Sequence, residues 1–138
     1  MSGGNENHGW RRIMGDDAYA GITGLEVLRA EPGLAEVRLP VTPAVLNGHG
    51  IVHGGALFTL ADYAAAIAAN LLGEPTVGAY ASISYLRSVR KGFAVARART
   101  ERAGRRLKVQ SVEIRDDEGE LAAIFQCGSM TVAGKPPA

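Results

Sequence analysis

Residues 56–75 read Ala-Leu-Phe-Thr-Leu-Ala-Asp-Tyr-Ala-Ala-Ala-Ile-Ala-Ala-Asn-Leu-Leu-Gly-Glu-Pro, and this stretch decides the fold. From Ala56 to Leu72 there is neither Gly nor Pro, Ala and Leu dominate, and Gly73-Glu74-Pro75 then supplies a helix stop. Apolar side chains occupy nearly the whole circumference of such a helix, so it has no polar face to offer water and belongs in an interior. Outward from it, the chain is strand-like in both directions. Leu25 to Arg29 and Leu34 to Val41 flank Glu31-Pro32-Gly33, a sequence that favours a hairpin turn. Beyond the helix, Thr76 to Leu86, Phe93 to Glu101, Leu107 to Arg115 and Glu120 to Val132 are separated by Lys91-Gly92, Ala103-Gly104 and Asp116-Asp117-Glu118-Gly119. The order β-β-α-β-β-β-β predicts an α+β domain, with an antiparallel sheet wrapped around one long central helix.

At 138 residues the chain fits one domain, too small for separate cofactor and substrate domains. The expected division is a flexible N-terminal tail at 1–12, the domain at 13–134 and a C-terminal tail at 135–138. Hydrophobic residues at 46% and charged residues at 21% exclude a wholly disordered chain. Cys127 is the only cysteine, so no intrachain disulfide is possible and a reducing cytoplasm is the expected compartment. No signal-peptide core opens the sequence, and Asp62 and Asn70 interrupt its most apolar stretch, so a soluble protein without a membrane partner is expected. The net charge of +1 conceals an asymmetry: residues 87–108 hold nine Lys and Arg against one Glu, between acidic flanks.

The chemistry-bearing segment is Asn47-Gly48-His49-Gly50-Ile51-Val52-His53-Gly54-Gly55, in a Gly/His-rich loop leading into the helix that carries Asp62. A dinucleotide fingerprint fails because His53 stands where a third Gly is required, and no Gly-Lys-Ser/Thr follows for a phosphate loop. The G-x-S-x-G nucleophile elbow is absent around Ser82 and Ser84. His49, His53 and Asp62 are zinc-type ligands, but the glycines place both histidines in a loop rather than on one helix face, and no metal is assigned. Asp62 has Phe58, Thr59, Ala65 and Ala66 as its helical neighbours, and so no cationic partner on its own helix. Either this carboxylate is buried and energetically unfavourable when ionised, or its face of the helix emerges into solvent. Gly54 and Gly55 at the helix entrance leave backbone N–H groups at the positive end of the helix dipole, where glycine permits close approach of an oxyanion. Packing clearance or a tight turn would equally account for the glycine pair.

The string Asn47-x5-His53-Gly54-Gly55, then Leu60-Ala61-Asp62 and an Ala-rich helix, closely resembles the PaaI-like branch of the hotdog-fold acyl-CoA thioesterases. The resemblance continues through Ile83-Ser84-Tyr85-Leu86-Arg87, the Gly92 and Gly104-Arg105 turns and the last strand, over roughly residues 16–134. It implies the hotdog fold, a homodimer with active sites at its interface, commonly assembled into a homotetramer, and hydrolysis of an acyl-CoA to free CoA and a carboxylic acid without a cofactor. It also implies that the Gly54 N–H is the oxyanion donor, that Asn47, supported by His53, orients the carbonyl or water, and that Asp62 of the opposite subunit is general base or nucleophile. Where some relatives place a water-holding Ser or Thr, this sequence has Ala66 and Gly78. A non-catalytic acyl-CoA or acyl-carrier-protein binding module on the same fold is the competing function, and the joint presence of Asn47, His53, Gly54 and Asp62 favours catalysis.

Within the basic segment, Arg97 and Arg99 share a strand face and read as solvated surface. Coenzyme A carries a pyrophosphate and a 3′-phosphate, which arginine matches with bidentate geometry. From the resemblance, Arg87, Ser88, Arg90, Arg105 and Arg106, with Gly55, are the expected CoA-binding residues. Nucleic acid is disfavoured as a partner, because only Phe93 interleaves the basic residues and no recognition helix occurs.

Overall fold

The computed structural model describes residues 9–132. In chain order these form α1 (Gly9–Met14), α2 (Ala18–Thr23), β1 (Glu26–Glu31), β2 (Leu34–Pro40), a 3-10 turn (Pro43–Val45), α3 (Gly54–Asn70), β3 (Thr76–Tyr85), β4 (Phe93–Ala103), β5 (Leu107–Asp116) and β6 (Leu121–Thr131). The six strands make one antiparallel sheet in the order β1-β2-β4-β5-β6-β3, so β3 is an edge strand paired only with β6. The expected β-β-α-β-β-β-β core is present, preceded by two short helices that the hydrophobic pattern did not indicate.

Strand alternation creates the seat for α3. One row across the sheet runs Val27, Val37, Ala96, Ile114, Ala123 and Tyr85, each residue directly opposite the next. Directly opposed residues share a face, and the buried members of this row show that the face is the one that covers the helix. Ala35, Ala94, Ala96 and Ala98 are fully buried, and their small side chains let the helix lie close to the central strands. Leu60, Ala64 and Ile67 of α3 fill that space and are likewise fully buried. An interior of this density leaves little room for truncation, which is why these positions are aliphatic throughout.

Both ends of α3 are secured by side chains. Its start at Gly54, two residues earlier than the composition suggests, follows from His53, whose Nδ1 accepts the Gly55 N–H at 2.8 Å. At the other end Asn70 donates Nδ2 to the Ala66 carbonyl at 2.8 Å and accepts the Thr76 N–H at 2.9 Å, tying the helix to the start of β3. One stripe of the helix is left outside the sheet. Gly55 and Asp62 are exposed, and Phe58, Thr59 and Ala66 between and beyond them are half-buried.

Residues 9–12, expected in the N-terminal tail, are instead part of α1, where Trp10 and Met14 pack against the core. Asp17 caps α2 by accepting the Ala20 N–H at 3.0 Å, and Gly24, with φ of 85°, closes it. The tail expected at 135–138, the last residues of the expected domain at 133–134, and residues 1–8 lie outside the described residues.

Candidate active site

Asn47 holds the loop before α3 through its own side chain. Its Oδ1 accepts the His49 N–H at 2.9 Å and the Ile51 N–H at 3.3 Å, while its backbone N–H donates to the Ile51 carbonyl at 2.8 Å. With the amide oxygen engaged in this Asx-type turn, the side chain has its Nδ2 hydrogens left to offer, so Asn47 can only donate to a ligand. His53 follows with its N–H on the Val45 carbonyl at 2.7 Å and its ring as the helix cap. Because Nδ1 is the acceptor in that cap, the neutral ring carries its proton on Nε2.

Gly54 and Gly55 are the first two residues of α3. A Cβ on Gly54 would sit 3.1 Å and 3.2 Å from the ring and hydroxyl of Tyr85, and one on Gly55 would sit 3.0 Å from the Nδ1 of His53. At each glycine a side chain packs closely on the backbone, and a larger residue would have to shift it. Among the described residues, the Gly54 N–H donates no hydrogen bond. Gly54 lines a cleft of about 340 Å³ together with Asn47, Tyr85, Arg87, Ser88 and apolar residues. An unused N–H at the positive end of a helix, beside an amide donor, is an arrangement that stabilises developing negative charge.

Asp62 lies eight residues further along α3, about 12 Å at the helical rise. Its carboxylate is exposed and has no hydrogen-bond or ion-pair partner among the described residues. Of the two readings left open for Asp62, the exposed one holds within one chain: the apolar pattern gave no indication of which stripe of α3 the sheet would leave uncovered. Partial desolvation by the surrounding apolar surface still pushes Asp62 above its ordinary range, and the charge of Asp17 adds to the shift. Across the helix–sheet gap is Cys127, whose thiol is pushed up to about 11, chiefly by burial and then by the charge of Asp62. Ala81 is opposite Cys127 and Gly78 opposite buried Ser129, so neither of these two β3 positions carries a hydroxyl. Ser82 and Ser84 point to the other face of the sheet. Of the aromatic residues nearby, Phe58 packs edge-on against Phe125 at 5.3 Å, whereas buried Tyr63 turns toward Trp10, Arg11 and Asp17.

The structure divides the basic segment. Arg87, Ser88 and Arg90 line a second cleft of about 350 Å³ with Lys91, Asp116, Asp117 and Glu118, and Arg87 and Ser88 belong to both clefts. Here Arg87 lies 3.4 Å from Asp116 and Lys91 lies 3.4 Å from Asp117, so two of the cations are already partly compensated. Arg90 makes no ion pair among the described residues. Arg105 and Arg106 are elsewhere. Their turn joins β4 to β5 beside Thr131, opposite the start of β3, whereas Arg87 follows the end of β3, about 30 Å away along a ten-residue strand. The eleven-residue β4 between the two turns carries the chain from one end of the sheet to the other, so within one subunit they lie at opposite ends of it. Arg97 and Arg99 project from the outer face, paired with Glu36 at 3.0 Å and Glu101 at 2.8 Å. Tyr85 is the site residue that the sequence did not single out; its only signal was its place in the Ile83-to-Arg87 string.

Residues 49–123 match the thioesterase superfamily. The chain belongs to that family. It is 44% identical over 110 residues to a putative esterase of Deinococcus radiodurans, covering 78% of this chain and 75% of that protein. It is 35% identical over 123 residues to the acyl-coenzyme A thioesterase PaaI of Escherichia coli, covering 86% of each. The solved structure of the Escherichia coli PaaI protein superposes with a TM-score of 0.86 at 32% identity, over 91% of both chains. These likenesses establish a PaaI-like hotdog thioesterase, an α+β fold and a thioester hydrolase.

The unpartnered carboxylate has a consequence for stability. A folded-state pKa above the unfolded value means that the folded protein holds its proton more tightly, so stability falls as pH rises from about 3.9 through the raised value. Asp62→Asn is therefore expected to raise the urea midpoint at pH 7, modestly because the group is exposed, and to lose that advantage below about pH 4. A lower midpoint for the variant at pH 7 would show that Asp62 has a stabilising partner.

Proposed function

We propose that the protein hydrolyses an acyl-CoA thioester at a site composed of two subunits, with the Gly54 N–H of one and the Asp62 carboxylate of the other. The observation that carries this reading is the separation along α3. A carbonyl bound at the Gly54 N–H is out of reach of a carboxylate about 12 Å away on the same helix, whereas general acid–base chemistry needs contact at about 3 Å. A second copy supplies the missing group. β3 supports such pairing: it is a ten-residue edge strand, Thr-Val-Gly-Ala-Tyr-Ala-Ser-Ile-Ser-Tyr, with no charge or proline, and Val77, Tyr80 and Tyr85 on it are more than half exposed. Natural edge strands of that length and composition are normally covered. A homodimer joined along β3, and pairs of such dimers as a homotetramer, is the assembly we assign.

In the reaction, the thioester oxygen accepts hydrogen bonds from the Gly54 N–H and the Asn47 Nδ2. Asp62 takes a proton from water as the water oxygen bonds to the carbonyl carbon, the C–S bond then breaks, and the proton passes to the departing thiolate. Alternatively Asp62 attacks first and water opens the resulting anhydride; both routes consume one water and release one acid and one thiol. Water and the chain's own groups suffice, and no cofactor is assigned a step. The raised pKa of Asp62 suits a base working near neutral pH. Arg87, Ser88 and Arg90 are positioned beside the same cleft to meet the CoA phosphates, with Arg105 and Arg106 contributing only if a neighbouring subunit brings them there. The cytoplasm is the compartment we assign, because the single cysteine is free and buried.

Thiol release from a panel of acyl-CoAs tests the chemistry. Asp62→Ala and Asp62→Asn should each lower kcat by about 100-fold or more, and wild-type protein that binds acyl-CoA without releasing thiol would defeat the proposal. The phosphate contacts are checked through KM. Arg90→Ala should raise KM about threefold to tenfold at low salt, with a smaller effect at 0.5 M salt where charge is screened; an unchanged KM returns Arg90 to solvated surface.

A further inference from the structure

Glycine is a poor helix former, because its backbone loses the most conformational freedom when it is fixed. Gly54 and Gly55 nonetheless form the first turn of α3, and an oxyanion donor there has to point in a fixed direction before the reaction begins. Two side chains hold it. The Tyr85 hydroxyl donates to the Gly54 carbonyl at 2.9 Å, across 31 residues of chain, and the Gly55 N–H of the same peptide unit donates to His53 Nδ1 at 2.8 Å. Tyr85 O–H, the 54–55 peptide and the His53 ring thus make one hydrogen-bonded chain, in which each bond polarises the next. The ring of Tyr85 lies directly on Gly54, and Leu86 and Arg87, which follow the end of β3, line the same cleft as Gly54.

We propose that Tyr85 is a positioning residue for the thioesterase reaction: its hydroxyl clamps the Gly54–Gly55 turn so that the Gly54 N–H keeps its aim, and fixes the His53 ring in the tautomer bearing a proton on Nε2. The proposal rests on the assignment of Gly54 as oxyanion donor. Tyr85 lines the cleft, and the role proposed for it is exerted through the backbone of Gly54. An aliphatic residue at 85 could fill the space but could not hold the carbonyl, and a Cβ at 54 would displace the ring.

Tyr85→Phe removes the clamp and keeps the ring, whereas Tyr85→Leu removes both. For Tyr85→Phe the expected result is a fall in kcat of about five- to twentyfold, with KM for the acyl-CoA within about twofold of wild type. Its ¹H–¹⁵N spectrum should show the Gly55 and Phe58 amides displaced while those of β4 and β5 stay in place. A Tyr85→Phe kcat within twofold of wild type, in an enzyme that turns over, overturns the positioning role and leaves the thioesterase reading standing. Loss of kcat with an unmoved Gly55 amide, or with melting temperature falling in step in both variants, also overturns it. A wild-type protein that releases no thiol removes the thioesterase reading, and this role with it.

Discussion

An α-helix about 10 Å across cannot be covered all round by a single sheet, yet α3 is apolar around nearly its whole circumference. The conflict is only partly resolved inside one chain. Alanines on β2 and β4 draw the sheet close, and Leu60, Ala64 and Ile67 are sealed beneath it. What remains is the stripe carrying Gly55, Phe58, Thr59, Asp62 and Ala66, next to the bare edge of β3. The chemistry-bearing residues lie on or beside this unfinished surface, so the packing deficit of the fold and the placement of the site have one origin.

The helix also sets the spacing of the reaction. Its N-terminus gives the Gly54 N–H a polarity and, through His53 and Tyr85, a direction; two turns later it presents a carboxylate with no local partner. In the proposed reaction these are the two halves of the site, held too far apart to serve one bound carbonyl from a single subunit. The charged residues follow the same division, with Arg87 and Arg90 near the Gly54 end of the sheet and Arg105 and Arg106 at the far end. A segment with a local excess of positive charge in sequence is therefore two separate patches in space, one of them moderated by Asp116 and Asp117.

Much of this was legible in the sequence, for reasons that can be named. Val- and Leu-rich runs such as 34–41, and turn residues such as Pro32-Gly33 and Lys91-Gly92, placed the strands within a residue or two of where they lie. α1 and α2 are six residues each, too short for a helical period to register, although Asp17 and Gly24 mark the ends of α2 as caps do. The start of α3 was missed by two residues because histidine is not a customary N-cap and its capping bond depends on ring orientation. The exposure of Asp62 was hidden by the uniformity of its helix, since a pattern with no polar face cannot say which face stays open. Tyr85 could be placed on the inner face by alternation with Ile83, but its bond to Gly54 exists only once β3 has been laid beside the helix.

The central claim is that Gly54 and Asp62 act on one thioester from different subunits. Mixing Asp62→Asn with Gly54→Pro protein under subunit exchange tests it most directly, because the first lacks the carboxylate and the second lacks the backbone N–H at the first position of α3, where proline is tolerated. Random pairing restores one intact site in half of the dimers, so the account predicts recovery to about a quarter of the wild-type rate per total protein. A mixture whose activity stays at the average of the two inactive parents would contradict it.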